Sequence, residues 1–140
     1  MHENFYHNIK VYYEDTDAGG VVYYANYLKY LERARTEALS SIGLSNLDIK
    51  DKYGAFIIVK SCNIEFKKSA HLEDELVVRS FVKSISKTSF FMNQFISKNK
   101  IVITESQVHL VFINDKGRPI KVPEIIFKNF KPYFCDSIKL

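Results

Sequence analysis

The sequence contains no tryptophan, only two cysteines and three prolines, and no apolar run long enough to cross a membrane. The longest uninterrupted apolar stretches, such as Ala55 to Val59 and Leu110 to Ile113, fall far short of the ~20 residues that a membrane helix needs. Cys62 and Cys135 lack a C-x-x-C spacing, so we expect reduced thiols that pack in the interior. Neither a membrane span nor a disulfide framework is therefore expected.

Signatures of metal and nucleic-acid binding are also missing. The four histidines are scattered, without cysteine or carboxylate partners at metal-binding spacing. The net charge of +4 resides in the C-terminal part, since residues 1–60 carry 7 basic and 8 acidic side chains and residues 61–140 carry 13 and 8. The scattered histidines predict no metal site. The charges are spread along predicted strands without a recognition helix, so we expect no nucleic-acid partner.

The composition is that of one soluble domain. The chain has 140 residues, 46% hydrophobic and 26% charged, which predicts a single domain over residues 1–140. The first ten residues lack the apolar core of a secretory signal, so we expect a cytoplasmic protein.

Periodicity predicts one long helix and several strands. Alternating residues predict a strand over Asn8 to Tyr13, and apolar side chains at helical spacing predict a helix over Tyr24 to Ile42, ended by Gly43. A loop around Leu44 to Gly54 follows. Strands are then predicted over Ala55 to Phe66, Glu75 to Ser86, Thr88 to Ser97 and Lys100 to Asn114. A short helix is predicted after Pro123, with Ile126, Phe127 and Phe130 on one side.

This order of elements predicts an α+β fold in which an antiparallel β-sheet wraps around one long central α-helix. The helix can cover only one face of the sheet. The strand Thr88 to Ser97 nevertheless places Phe91 and Phe95 on the other face, and large exposed apolar patches are rare on soluble monomers. We therefore expect a partner subunit to cover that face.

The segment Tyr12 to Tyr27 reads Y-Y-E-D-T-D-A-G-G-V-V-Y-Y-A-N-Y and holds the candidate site. Gly19 and Gly20 allow a sharp turn and the close approach of a ligand, and the unpaired N–H groups of a helix start attract negative charge. A thioester under attack develops negative charge on its carbonyl oxygen, so a carboxylate beside such donors suits thioester hydrolysis. On local chemistry alone, capping of the helix ranks ahead of catalysis as the role of Asp17.

The same stretch resembles the acyl-CoA thioesterases of the 4-hydroxybenzoyl-CoA thioesterase family, and most closely its YbgC-type, Tol-Pal-associated branch. The motif E-D-T-D-A-G-G-V-V-Y and the helix A-N-Y-L-K-Y-L-E-R-A-R-T-E match the family in one register over Tyr12 to Leu39. The similarity is weaker in the rest of the chain. The resemblance implies a hotdog fold and an enzyme that hydrolyses acyl-CoA to a carboxylic acid and CoA without cofactor. It also implies a homotetramer, a dimer of dimers, with acyl carrier protein as another donor of the acyl group.

Carried over by position, the resemblance assigns the catalytic role to Asp17, as nucleophile or general base, and the carbonyl-polarising role to the backbone N–H of Tyr24. The YbgC-type branch usually has His where this chain has Tyr24, but a backbone donor does not depend on the side chain. With no His beside it and a helix terminus favouring its ionised form, Asp17 is expected to be a weak base, which favours direct nucleophilic attack.

Further residues are predicted around these two. Tyr13 either orients Asp17 or packs on the helix, and Asn26 either holds the helix start or caps its first turn. Lys60 and Lys87 are predicted to bind the phosphates of CoA in a groove between subunits. The loop residues predicted to contact the substrate are Gly19, Gly20 and Val21.

Two rival functions remain for the same fold. The first is a non-catalytic protein that binds acyl-CoA or acyl carrier protein. The second is a dehydratase, which is disfavoured because no histidine occurs in the turn or the central helix.

Overall fold

The structure is a computed structural model that describes residues 2–135. Its helices and strands follow in the order β1 (Phe5–Lys10), α1 (Asn26–Ser41), α2 (Asn46–Tyr53), β2 (Phe56–Phe66), β3 (Glu75–Ile85), β4 (Ser89–Lys98), β5 (Ile101–Ile113) and α3 (Glu124–Phe130). The strands form one antiparallel sheet in the order β1-β3-β4-β5-β2. The predicted α+β arrangement of a sheet around one long helix is confirmed.

The core lies between α1 and one face of the sheet, in two adjoining clusters. The first half of α1 buries Tyr27, Tyr30 and Leu31 against the β1 and β3 side. The second half buries Leu39 among side chains from β4, β5 and α3. Because α1 is buried along its length, its N-terminus is fixed relative to the sheet, and so is the turn that precedes it.

The turn between β4 and β5 is a tight hairpin, which joins two strands of the predicted antiparallel sheet. Its two central residues, Asn99 and Lys100, have φ values of +50° and +66°, the left-handed conformation that a two-residue type I′ turn requires. The tight turn sets the register of β4 against β5. Both strands then alternate between buried and partly exposed side chains.

Several predicted boundaries are wrong. The first strand is Phe5–Lys10 rather than Asn8 to Tyr13, because Tyr13–Asp15 form a 3₁₀ turn. The predicted loop between residues 44 and 54 contains α2, which Ser45 caps by accepting the N–H of Asp48 (3.1 Å). Phe127 does not share the buried side of α3, since it is 39% exposed.

The long helix also begins later than predicted, at Asn26 rather than Tyr24. The residues before it form turns in which Asn26 N–H donates to the carbonyl of Tyr23 (2.8 Å). Among the described residues, no helix is both long enough and apolar enough to cross a bilayer.

Candidate active site

The acidic turn folds as a small hairpin between β1 and α1. Asp17 N–H donates to the carbonyl of Val21 (2.9 Å), and Tyr23 N–H donates to the carbonyl of Asp15 (2.9 Å). Asp17 therefore lies on the first arm of the hairpin, and the second arm leads through Tyr24 directly into α1. The hairpin brings the predicted carboxylate and the predicted helix start together in one compact loop.

The carboxylate of Asp17 is exposed, and one of its oxygens is held in place. Oδ1 accepts the N–H of Gly19 at 2.8 Å. A Cβ atom at Gly19 would lie 3.3 Å from this oxygen, so the loop has room for glycine but little for a side chain. Within the described residues Oδ2 accepts no hydrogen bond and remains free to attack a ligand.

Asp17 does not cap α1, which excludes the capping role weighed above. The residue at the N-cap position is Ala25, and no side chain accepts a hydrogen bond there. The reason is geometric, because the turn through Gly19 and Gly20 (φ +81°) separates Asp17 from the first helical residue. Among the described residues, the Asp17 side chain neither caps the helix nor forms a salt bridge, so it is available to a ligand.

Two backbone donors near the helix start are unused. The N–H groups that flank them, on Tyr23 and Asn26, both donate to carbonyls of the hairpin. In the part of the chain that the structure describes, the N–H groups of Tyr24 and Ala25 donate to no acceptor. Unused donors at the start of a helix of 16 residues can stabilise a developing oxyanion.

Asp15, the other aspartate of the turn, is a buried clamp. It is only 5% exposed, and its carboxylate accepts the N–H of Tyr12 (2.9 Å) and the side-chain amide of Asn26 (3.3 Å). The second of these hydrogen bonds ties Asn26, the first residue of α1, to the turn before the helix. Burial, and next the neighbouring Asp15 carboxylate, raise the pKa of the Tyr30 hydroxyl, so this phenol stays neutral.

The chain between β2 and β3 supports the second arm of the hairpin. Val21 pairs with His71, and the N–H of Ala70 donates to the buried hydroxyl of Tyr27 (3.0 Å). His71 thus lies beside the acidic turn although it is distant in the sequence. Its backbone N–H donates to the carboxylate of Asp74 (2.8 Å), a residue outside the predicted set.

An ion pair anchors this support. Lys98 Nζ lies 2.9 Å from Oδ2 of Asp74. Desolvation alone would raise the pKa of Asp74, but the hydrogen bonds from Lys98 and from the His71 backbone outweigh it and lower that pKa. The fold therefore holds the acidic hairpin against a charged, hydrogen-bonded support from β4 and the loop before β3.

Three of the predicted site residues lie away from the acidic hairpin. The Tyr13 side chain is 80% exposed and borders a different surface depression, beside Lys10 and Glu73. Lys60 lies on β2, six residues from the strand end nearest α1's start, or roughly 20 Å at the rise of a strand. Lys87 lies in the β3–β4 turn, beyond the end of the sheet that is farther from the start of α1. One chain therefore does not bring these lysines to Asp17.

An aromatic rim borders the helix start. The ring of Tyr24, 64% exposed, lies 5.0 Å from that of Tyr23 and 6.4 Å from that of Phe66. Tyr27 contacts Phe66 from the core side at 5.3 Å. Because the rim residues and Asp17 are all exposed, the site in one chain is an open surface. The described residues contain no group of three or more His, Cys, Asp or Glu side chains that could hold a metal ion.

Comparison with known proteins identifies the family of the chain. The family model of the thioesterase-like superfamily matches residues 11–130. An acyl-CoA thioester hydrolase YbgC of Escherichia coli is 35% identical over 88% of this chain and 92% of its own. An acyl-CoA thioesterase YbgC of Haemophilus influenzae is 32% identical over 83% and 86%.

A solved structure shows the same fold. The 1,4-dihydroxy-2-naphthoyl-CoA thioesterase from Synechocystis is 26% identical, with a TM-score of 0.84, over 92% of this chain and 96% of its own. The predicted hotdog fold and family are thereby confirmed. The chain belongs to the thioesterase-like superfamily.

Proposed function

We propose that this protein is an acyl-CoA thioesterase that hydrolyses the thioester to a free carboxylic acid and coenzyme A, with Asp17 as the reacting carboxylate. Membership of a thioesterase family and relatives named as acyl-CoA thioester hydrolases support the activity. The observation that carries the role of Asp17 is its free Oδ2 on the same hairpin as the unused N–H groups of Tyr24 and Ala25.

In the proposed reaction the carbonyl oxygen of the thioester accepts the N–H of Tyr24. Asp17 Oδ2 attacks the carbonyl carbon, the C–S bond breaks, and CoA leaves as the thiolate, which takes a proton from solvent. Water then cleaves the resulting anhydride, which restores the carboxylate and releases the acid. The donor contributes because negative charge develops on the carbonyl oxygen during attack, and one such donor is typically worth ~10²–10³ in rate.

The competing mechanism uses Asp17 as a general base that delivers water. Single-turnover hydrolysis in ¹⁸O-labelled water distinguishes the two. In the proposed step the water attacks the Asp17 carbonyl of the anhydride, so label enters that carboxylate first, whereas general-base catalysis labels only the product acid. Label found only in the product acid would therefore contradict nucleophilic attack and leave the thioesterase activity standing.

The Asp17→Asn variant tests the role of the carboxylate. The amide oxygen of Asn can still accept the N–H of Gly19, so the loop is expected to keep its shape. We expect kcat to fall at least ~10³-fold, within the range typical of a lost catalytic group, with acyl-CoA binding and thermal stability retained. The matched control is Asp115→Asn, which removes an exposed carboxylate from a distant turn.

Two outcomes would contradict the proposal. Turnover by Asp17→Asn at the wild-type rate would remove Asp17 from the reaction. Tight binding of acyl-CoA by the wild-type protein without any thiol release would favour the non-catalytic binding protein instead.

The proposal extends to assembly. The outer face of the sheet presents aromatic side chains, with Phe91 stacked on His109 at 4.1 Å and Phe95 beneath the guanidinium of Arg79 at 4.5 Å. A tetramer, as a dimer of dimers, would cover this face and give the open site a second wall. In such a tetramer, Lys60 and Lys87 of another copy would lie near the phosphates of CoA. Sedimentation should give four times the 16.3 kDa mass of one chain.

The donor and location complete the proposal. Acyl carrier protein would present the same thioester as coenzyme A, so parallel assays with both carriers identify the physiological one. The proposed compartment is the cytoplasm, which suits the free thiol of Cys62. Neither metal nor redox cofactor enters the reaction as proposed.

A further inference from the structure

A partly enclosed pocket lies between α1 and the sheet, separate from the acidic hairpin. Its volume is about 120 Å³. Its apolar wall consists of Leu39, Ile57, Val59, Phe90, Met92 and Leu110. An apolar cavity of ~150 Å³ accommodates a benzene molecule, so this pocket has room for about five carbon atoms.

Three of the four polar residues that line the pocket, Glu32, Arg35 and Thr36, are already paired with each other or with the core, and Asn46 is the fourth. Thr36 Oγ1 donates to the carboxylate of Glu32 (2.6 Å), and the Arg35 guanidinium donates to the side-chain oxygen of Gln94 (2.9 Å). A polar ligand would have to break these hydrogen bonds, whereas an alkyl group would not. The pocket therefore suits an aliphatic occupant.

We refer to the surface between α1 and β2 that runs from this pocket to the helix start as the groove. On α1, Leu28, Glu32, Arg35 and Leu39 follow one another at spacings of three and four residues and so share one side of the helix. Strand β2 runs along that side in the opposite direction. Its Phe66 contacts Tyr24 at the helix start, its Cys62 lies near Arg35, and its Val59 borders the pocket.

The groove has apolar walls that are open to ligand. Leu28 is 47% exposed, Val59 47% and Phe66 44%. Because β2 is an edge strand, the groove is open along its length in one chain. An alkyl chain that begins at the Tyr24 N–H can therefore follow the groove to the pocket.

The length of the helix defines the length of the chain that fits. From Asn26 to Glu32, at the near edge of the pocket, the helix rises ~9 Å, and from Asn26 to Leu39, at the far wall, ~20 Å. An extended peptide advances ~3.6 Å per three bonds, so an extended alkyl chain advances roughly 1.2 Å per carbon. The pocket is reached after about eight carbons and its far wall after about sixteen, by the same rise per carbon.

We propose that this pocket holds the methyl end of the acyl chain and that the preferred substrate is the thioester of an unbranched aliphatic acid of about twelve carbons. About eight carbons reach the pocket, and its volume holds about four or five more. The inference rests on the proposed function, because it places the thioester carbonyl at the Tyr24 N–H.

The first test is the dependence of kcat/KM on chain length, measured with the full-length wild-type protein and saturated acyl-CoA substrates from butanoyl to hexadecanoyl. We expect little change up to octanoyl-CoA and then a rise, since each methylene that enters the pocket is worth roughly fourfold. Absence of a rise beyond octanoyl-CoA, or a higher kcat/KM for benzoyl-CoA than for dodecanoyl-CoA, overturns the proposal. A kcat/KM that keeps rising from dodecanoyl-CoA to hexadecanoyl-CoA contradicts the preference for about twelve carbons.

The second test narrows the pocket with Val59→Phe. We expect kcat/KM for dodecanoyl-CoA to fall at least about tenfold, because at least two methylenes lose their place at roughly fourfold each. The value for butanoyl-CoA should stay within about twofold, since that chain ends before the pocket. The matched control is Ile58→Phe, which adds the same ring on the opposite face of β2 and should leave the dodecanoyl-to-butanoyl ratio at its wild-type value.

These tests separate the pocket from the catalytic proposal. If Val59→Phe and the wild type have equal dodecanoyl-to-butanoyl ratios of kcat/KM, the proposed role of the pocket fails, whatever the effect of Asp17→Asn. If instead Asp17→Asn remains active while the rise with chain length persists, the role of Asp17 fails and the pocket stands. The wild-type profile decides the question even if Val59→Phe is unstable.

Discussion

Alanine substitutions at the two glycines of the acidic turn should have different effects, one on the rate of catalysis and the other on the stability of the fold. A Cβ atom at Gly19 would lie 3.3 Å from Oδ1 of Asp17, so that oxygen must move by a few tenths of an ångström. Gly20 has the opposite character, because its Cβ would meet nothing within 4 Å but its φ of +81° is strained for any other residue. The two alanine substitutions therefore perturb different properties of one loop.

For Gly19→Ala we expect kcat to fall about tenfold, since a misplacement of ~1 Å at a reacting group can cost ~10²-fold and the shift here is smaller. The melting temperature should remain near the wild-type value, because the φ of Gly19 lies outside the strained range. For Gly20→Ala we expect the free energy of unfolding to fall by about 1 kcal/mol, or roughly 3 °C in melting temperature, with kcat nearly unchanged.

The measurements are thiol release at saturating acyl-CoA and thermal unfolding of both variants, with activity recorded well below either melting temperature. The contrast between the neighbours is the control, because each variant adds one methyl group to the same turn. A kcat for Gly19→Ala within twofold of wild type would refute the reasoning. So would a larger loss of kcat in Gly20→Ala than in Gly19→Ala.

Two further predictions concern stability. Asp15→Ala should lower the free energy of unfolding by about 3 kcal/mol in urea titrations, because it leaves the Tyr12 N–H and the Asn26 amide without their acceptor; a loss below about 1 kcal/mol, the size of one ordinary hydrogen bond, would contradict the clamp. Lys98→Met should destabilise the protein at pH 7 but not at low pH. Because the folded-state pKa of Asp74 is lowered, its contribution is full above its unfolded pKa of ~3.9 and is lost as the pH falls through the folded-state pKa. Unfolding curves at pH 7, 5, 3 and 2 check this, and a difference that does not shrink between pH 5 and pH 2 would argue against the ion pair.

The long helix and the hairpin strands could be predicted because their patterns are strong and local. Helix α1 buries a continuous stripe of apolar residues, and the β4–β5 turn carries the residues that a tight hairpin favours. The second helix was missed because only Ile49 of its eight residues is buried, so its sequence has no apolar period. Its flanking signals, Ser45 at the start and Gly54 at the end, were present.

The candidate site was predictable only in part, for a similar reason. Asp17 and Tyr24 lie in one continuous segment of the chain, so their closeness in sequence was enough to predict that they lie close together in the fold. The support from His71 and the burial of Asp15 depend on contacts between segments that are far apart in sequence. The separation of Lys60 and Lys87 from the hairpin likewise follows from the strand order and not from any local pattern.

The proposed carbonyl donor at position 24 belongs to the main chain, and its side chain lies in solvent. Nineteen of the twenty genetically encoded amino acids supply an equivalent amide hydrogen, and only proline does not. Replacement of imidazole by phenol at this position is therefore compatible with an unaltered reaction centre. Variation there can reshape the mouth of the site for new substrates while the chemistry beneath it stays the same.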